Sequence, residues 1–327
     1  MKRFVINSND AGQRVDKFIT KACPAMPKSA LYKAIRKKDI KLNRKRCEIS
    51  DRLSEGDVLE IYLPDDMFES GQAPDLDRIS DDIHVIYEDK NIILINKPQG
   101  LVVHEDNENT ADNLANRLKA YLYRKGEYDP QIENSFAPAL CNRLDRNTGG
   151  IVIAAKNAVS LRLISQAIKD RTIDKYYLCA VYGCPPETED TLVNWLYKDS
   201  SNNRVFVQDK STPANKEIRT HYKVVKRAGD HTILEIKLLT GRTHQIRAHM
   251  AHIGCPVVGD GKYGNERKNR AAGVSKQLLF SYKLVFSFAD DSELAYLNGK
   301  EFTVPGIIEN IENALNRKSP ASGAKHP

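Results

Sequence analysis

Cysteine is sparse and unpatterned: six in 327 residues, at 23, 47, 141, 179, 184 and 255, with no C-x-x-C pair. In a chain of this length they read as small buried or half-buried thiols, not as a disulfide or zinc framework. No run of 18 or more apolar residues occurs, so no transmembrane helix is expected. The first residues, Met1-Lys2-Arg3-Phe4-Val5-Ile6-Asn7, lack the long apolar stretch of a secretory signal, and a cytoplasmic location is expected. Neither a phosphate-binding glycine loop nor a Gly-x-Ser-x-Gly elbow is found. Low complexity is confined to the tail from about Asn316, where a Lys-Ser-Pro-Ala-Ser-Gly composition predicts disorder.

What is present is enough for two domains, with 41% apolar residues to build ordinary cores. The net charge is +7, and its location matters more than its size. Between Pro27 and Cys47 stand nine bases (Lys28, Lys33, Arg36, Lys37, Lys38, Lys41, Arg44, Lys45, Arg46) against one acid, Asp39. This stretch therefore carries +8 and the rest of the chain about −1, the footprint of phosphate binding. A solvated face is the commoner origin of such a run when it stands alone.

The stretch Cys141-Asn142-Arg143-Leu144-Asp145-Arg146-Asn147-Thr148-Gly149-Gly150 predicts a tight turn presenting one carboxylate among arginines. Cations nearby keep such an acid ionised, which suits a nucleophile or an electrostatic stabiliser better than a proton donor. The apolar run Ile151 to Ala155 then predicts a buried strand, and Val159, Leu163, Ile164, Ala167 and Ile168 a helix capped by Asn157. Further on, Lys175 to Gly183 reads as a strand with Tyr177 and Cys179 on one face. Thr232 to Leu238 alternates Leu234, Ile236 and Leu238 inward, and a Thr-Gly-Arg turn leads into a helix from about Thr243 to Gly254. Its predicted buried face is Ile246, Met250 and Ile253, with Arg247 about 60° from Met250 and able to point into a site. His244 and His249 lie about 140° apart on that helix and no carboxylate accompanies His249 and His252, so no metal site is expected.

Arg143-Leu144-Asp145-Arg146-Asn147-Thr148-Gly149-Gly150 resembles the catalytic-aspartate motif of RluA-type pseudouridine synthases, His-Arg-Leu-Asp-x-x-Thr-Ser-Gly. Asn142 stands where His is usual and Gly149 where Ser is usual. Three more segments resemble the same family: Ile83 to His104, with its Lys97-Pro98-Gln99-Gly100 turn; Lys175 to Gly183, with Cys179 in place of Ala; and Gly241-Arg242-Thr243-His244-Gln245-Ile246-Arg247-Ala248-His249 continued by Gly254 to Gly264. The N-terminal stretch, with Arg14-Val15-Asp16-Lys17-Phe18 at its start and Leu53-Ser54-Glu55-Gly56-Asp57 near its end, resembles the S4-like RNA-binding domain.

Composition predicts a flexible acidic linker over 65–82 and a tail over 316–327, and around them the resemblance implies an α+β protein: an S4-like domain over 1–64 (core about 12–63) and a catalytic domain over 83–315 with a mixed, mostly antiparallel sheet and flanking helices. It implies uridine isomerisation without cofactor or metal, with Asp145 as the catalytic carboxylate, Arg247 as its orienting ion-pair partner, and Tyr177 stacking on the uracil as a candidate for proton transfer. Arg143 would fill the gap left by the flipped nucleotide, and Arg242, His244 and Gln245 would join it in binding substrate. The expected partner is RNA, most of all large-subunit ribosomal RNA, with no membrane and a monomeric protein. The competing readings are a non-catalytic S4-type RNA-binding or ribosome-associated factor, a synthase acting on tRNA, and a metallohydrolase, for which ligands are wanting.

Overall fold

The computed structural model describes residues 1–68, 75–105, 110–199 and 201–316. The predicted tail beyond 316 and the middle of the linker, 69–74, lie outside the described residues.

The N-terminal module runs β1 (Lys2–Val5), α1 (Val15–Ala22), α2 (Lys28–Lys37), β2 (Ile40–Leu42), β3 (Lys45–Arg46) and β4 (Val58–Ile61). Its four strands form a separate antiparallel sheet in the order β1-β4-β2-β3, and both helices bury their apolar faces against it around Phe4, Phe18, Ile19, Leu31, Ile35 and Ile61. Helix α2 ends where Lys38 takes a left-handed conformation and returns its N–H to the last turn. Asn43 and Arg44 both have positive φ, as a two-residue hairpin turn between β2 and β3 requires. Eight of the nine clustered bases are exposed; Lys41 is half-buried with its ammonium over the Tyr62 ring.

The larger body continues with β5 (Val85–Glu88), β6 (Ile92–Lys97), α3 (Leu114–Arg124), β7 (Ala139–Leu140), β8 (Gly149–Ala155), α4 (Ala158–Asp170), β9 (Ile173–Tyr182), β10 (Glu189–Asp199), β11 (Arg204–Gln208), β12 (Lys216–Ala228), β13 (His231–Leu238), α5 (Gln245–His252), α6 (Glu266–Ala271), β14 (Leu279–Phe286), β15 (Glu301–Thr303) and α7 (Ile307–Asn316). Eleven strands make one sheet, ordered β11-β10-β12-β13-β9-β14-β8-β6-β5, with β15 beside β14 and β7 beside β8. Among these strands only β14 and β8 pair in parallel, so the expected mixed, mostly antiparallel sheet is present.

Both faces of the central strands are covered, which explains their unbroken apolar runs. Along β8, Ile151, Ile153 and Ala155 join the core under α4 and α7, while Val152 and Ala154 join the core under α3 and α5. Strand β9 divides the same way, with Tyr177, Cys179 and Val181 on the α3/α5 side. Asn157 caps α4 as expected, its side chain accepting from the Ser160 N–H at 2.8 Å. No helix among the described residues is long and apolar enough to cross a membrane.

Two findings correct the picture of bodies joined by a flexible linker. Residues 75–82 lie along α3: Leu76 is buried, and Arg124 Nη2 donates to the carbonyls of Leu76, Asp77 and Ile79. In addition, the loop after β1 grips the larger body. Asp10, fully buried, accepts from Ser135 Oγ at 2.6 Å and Asn134 Nδ2 at 2.7 Å; Asn7 and Asn9 donate to Glu133, and Asn9 Oδ1 accepts the Ala158 N–H at the start of α4. Removing a buried acceptor leaves its donors unsatisfied at about 1–3 kcal/mol. Asp10→Ala is accordingly expected to lower stability by about that much in denaturant melts and to speed amide exchange at 7–13 and 133–135. Unchanged exchange at both loops would show that they do not touch.

Candidate active site

The turn after β7 is built as its sequence demands. Thr148 N–H donates to the Asp145 carbonyl at 3.0 Å, closing a four-residue turn, and Gly149 and Gly150 carry the chain straight into β8 beside Phe280 and Ser281 of β14. At Gly150, φ is +106° and a Cβ would be driven into the Ser281 backbone, so only glycine fits. At Gly149 a Cβ would meet the Phe280 ring at 2.8 Å, which accounts for the absence of the family's serine here. The other departure is filled as well: Asn142 Oδ1 accepts the Ile153 N–H at 2.7 Å.

Beneath the turn sits Lys97, fully buried, its Nζ donating to the carbonyls of Pro98 (2.9 Å), Leu101 (2.8 Å) and Arg146 (3.0 Å). Its three donors are thus occupied, and the Lys-Pro turn is tied to the aspartate turn. Burial pushes the ammonium down to about 8, opposed by the charge of Asp145. Gln99 adds two more ties, to the carbonyls of Asn147 and Gln277.

Asp145, Tyr177 and Arg247 converge on the α3/α5 side of the sheet. Arg247 Nη1 donates to Asp145 Oδ2 at 2.8 Å, and the other edge of the guanidinium grips Asp260 bidentately, Nε to Oδ2 at 2.7 Å and Nη2 to Oδ1 at 2.9 Å. Asp260 is buried and also accepts the N–H groups of Lys262 and Tyr263. Burial alone would raise its carboxyl, but Arg247 and these amides outweigh it and hold the group below the ordinary carboxylate range. The same two acids hold Arg247 well above its usual value against the effect of burial. Asp145 keeps 28% of its side chain exposed, and its Oδ1 has no hydrogen bond among the described residues. The turn therefore presents one fixed oxygen and one open one.

Tyr177 packs with Leu144 and Ile246, and burial, helped by the negative charge of Asp145, pushes its hydroxyl up to about 12. At neutral pH it is a phenol that can donate a proton but not a resting base. Arg143 is exposed at the lip, beside His104, whose imidazole is pushed down first by burial and then by Arg143. Arg242 is exposed too. His244 places Nε2 3.9 Å from Asp145 Oδ2, too far for a hydrogen bond, while Nδ1 is 2.9 Å from the Tyr263 hydroxyl; burial lowers its pKa against the opposing charge of Asp145.

Gln245 departs from its expected substrate-binding place. It is buried, donates to the Arg219 carbonyl and Thr220 Oγ1, and accepts from Thr240 Oγ1 and the Arg242 N–H, so every polar atom holds the turn ahead of α5. Helix α5 also begins later than predicted, because His244 is left-handed at φ 53°. It is buried nearly all round, His249 included, whose two ring nitrogens sit 2.9 Å from Thr220 Oγ1 and Asn194 Oδ1. Among the described residues no group of three or more His, Cys, Asp or Glu is placed to hold a metal. Sequence reasoning missed Asp260, Tyr263 and Lys97; the first lies between Gly259 and Gly261, a setting in which an acid is held at a fixed backbone position.

The arrangement is that of an α+β fold presenting one oriented carboxylate, backed by an arginine whose other edge is anchored in the core. Residues 91–252 match the family described as RNA pseudouridylate synthase. Over 304 residues the chain is 33% identical to an uncharacterized RNA pseudouridine synthase of Mycoplasma capricolum, covering 92% of this chain and 96% of that one. Over 268 residues it is 31% identical to ribosomal large subunit pseudouridine synthase C of Vibrio cholerae, covering 80% of each. Its fold is similar to that of human RNA Pseudouridylate Synthase Domain Containing 4, with a TM-score of 0.55 at 18% identity over 71% of this chain and 92% of that one. The chain belongs to the RluA-type family of RNA pseudouridine synthases and is an isomerase of that kind.

Proposed function

We propose that this enzyme isomerises uridine in large-subunit ribosomal RNA, with Asp145 as the catalytic carboxylate and residues 1–64 as an S4-like RNA-binding domain ahead of a catalytic domain over 83–315. The observation that carries the reading is the Asp145–Arg247 contact of 2.8 Å, backed by the bidentate grip of Arg247 on buried Asp260. Isomerisation breaks the N1–C1′ bond, turns the uracil, joins C5 to C1′ and releases the C5 proton, while N1 takes up one proton in exchange. The open oxygen of Asp145 attacks or steadies the reacting sugar or base; the fixed one keeps the carboxylate in register. Tyr177 stacks on the uracil and, as a phenol, can return a proton. Arg143 takes the place of the flipped nucleotide, with Arg242 and His244 beside it on the substrate side, whereas Gln245 acts as a positioning residue for α5.

Ribosomal RNA is favoured over tRNA by relatives that carry a large-subunit name across 80% of their length. Mapping pseudouridines in total RNA from cells with and without this enzyme tests it: loss confined to tRNA would overturn the target, and no loss anywhere would favour a non-catalytic RNA-binding factor. The basic module is assigned affinity rather than chemistry. Deleting residues 1–75 is expected to weaken RNA binding and to flatten its salt dependence by about 0.9 in log–log slope for each phosphate that is no longer neutralised. An unchanged slope would remove Lys28, Lys33, Arg36, Lys37, Lys38, Lys41, Arg44, Lys45 and Arg46 from the RNA interface.

A further inference from the structure

Strands β10 and β11 form a hairpin at the far edge of the sheet on which Tyr197 and Phe206 face each other across the two strands, 41% and 46% exposed, with Asp199 and Arg204 the next pair along the same side. Between this hairpin and the loop at 261–262 lies a cleft of about 410 Å³ lined, among the described residues, by Asn202, Arg204, Phe206, Gly261 and Lys262, two of them bases. The guanidinium carbon of Arg204 lies 5.9 Å from the Phe206 ring centre and 5.3 Å from that of Tyr263. On the active-site side, the guanidinium carbon of Arg247 lies 5.3 Å from the same Tyr263 ring, and the Tyr263 hydroxyl accepts the Val205 N–H of β11 at 2.9 Å. The cleft is thus one tyrosine away from the arginine that holds Asp145.

An exposed aromatic on a sheet edge is often a solitary surface residue that needs no explanation. Here its neighbours give it a direction. A ring with a free face beside two cations is the combination that holds single-stranded nucleic acid, the ring by stacking on a base and the cations by neutralising phosphate. The cations are also placed in advance. Arg204 Nη2 donates to the Lys262 carbonyl at 2.7 Å, and Lys262 Nζ donates to the Asn203 carbonyl at 2.7 Å; each keeps further N–H groups for a ligand. Two cations in the lining of the cleft complement a chain that carries a phosphate at each residue.

We infer that the cleft binds an unpaired nucleotide of the RNA substrate next to the target uridine, with its base stacked on Phe206 and its phosphate held by Arg204 and Lys262. The inference rests on the synthase reading above and adds to it a second anchor, outside the catalytic pocket, that fixes the strand beside the flipped base.

The test uses the full chain, a large-subunit ribosomal RNA transcript labelled with tritium at uridine C5, and a fluorescent single-stranded RNA decamer of mixed sequence. Phe206→Ala is expected to raise KM and weaken decamer binding by about 5- to 150-fold, the range for one base on one ring, with kcat kept. Phe206→Tyr should stay near wild type because it keeps the ring face, and Phe206→Leu should fall with Phe206→Ala although it keeps apolar area. Unchanged KM and binding in Phe206→Ala, a Phe206→Leu protein that matches wild type, or a fall in kcat at fixed KM would each overturn the inference. If the wild-type enzyme releases no tritium while Phe206→Ala still loses decamer binding, the nucleotide site stands and the synthase reading falls.

Discussion

Asp145→Asn abolishes tritium release from RNA labelled at uridine C5 while RNA binding survives: this is the largest single effect expected. Asparagine keeps the shape of the side chain, and its carbonyl oxygen can still accept from Arg247 Nη1, which now lies 2.8 Å from Asp145 Oδ2. What disappears is the negative charge and the nucleophilic second oxygen, and loss of a nucleophile commonly lowers kcat by roughly ten-thousand-fold or more. The fold should hold, because Arg247 retains both bonds to Asp260 and only one of its two anions is lost. Binding can even tighten, since an acid facing phosphates is removed. Release at anything near the wild-type rate would end the assignment of Asp145; loss of binding and release together, with an unchanged melting profile, would move Asp145 from chemistry to docking.

The second large effect falls on a residue that no substrate needs to touch. Asp260→Ala leaves the buried Arg247 guanidinium with one partner and strips the Lys262 and Tyr263 amides of their acceptor. Removing one side of a buried pair typically costs about 3–5 kcal/mol. Turnover should fall with it, since Arg247 is then free to swing and Asp145 loses its register. The pH dependence separates this from a general packing defect. The folded-state pKa of Asp260 lies below its unfolded value, so its contribution to stability is complete above the ordinary carboxylate range, about pH 4, and is lost as pH falls through the folded value. Denaturant melts of wild type and Asp260→Ala should therefore differ most at pH 7 and converge in acid. A difference that stays constant from pH 7 to pH 2 would show that ionisation of Asp260 contributes nothing.

Much of the Asp145 turn was legible because its residues have few alternatives. Residues 145–148 close a four-residue turn and the two glycines after it open β8, and Asn157 is a cap in the structure as in the sequence. Strands buried on both faces, β6, β8 and β9, stand out as apolar runs. Strands β10 and β12 do not, because one side of each faces water and mixed charge hides their period; Lys216 to Ala228 holds only a few buried positions among exposed Lys and Glu. Helix α5 misled for the opposite reason. Its Gln245, expected on the substrate side, is buried and paired with Arg219 and Thr220, and His249 is buried between Thr220 and Asn194, while Arg247 lies against Asp145. Polar residues satisfied by tertiary partners carry no sign of burial in local periodicity. Asp260 was overlooked for that reason as well: its importance comes from Arg247, thirteen residues earlier, and not from its neighbours in sequence.

The junction between the Asp10 loop and residues 133–135 has a consequence for how an RNA is measured. If the bases of 28–46 dock one part of the substrate, a module fixed to the catalytic body in the free protein makes arrival of the second part an intramolecular step, with no search by a slack tether. The ordering entropy of the two bodies has been met during folding and does not recur on binding. Under that condition the enzyme would work as a caliper: a uridine would be selected by its distance and direction from the docked element, and RNAs of the right sequence but the wrong span would be refused. Loosening the grip with Asp10→Ala should leave short RNAs that touch only the catalytic body unaffected and reduce discrimination among long ones.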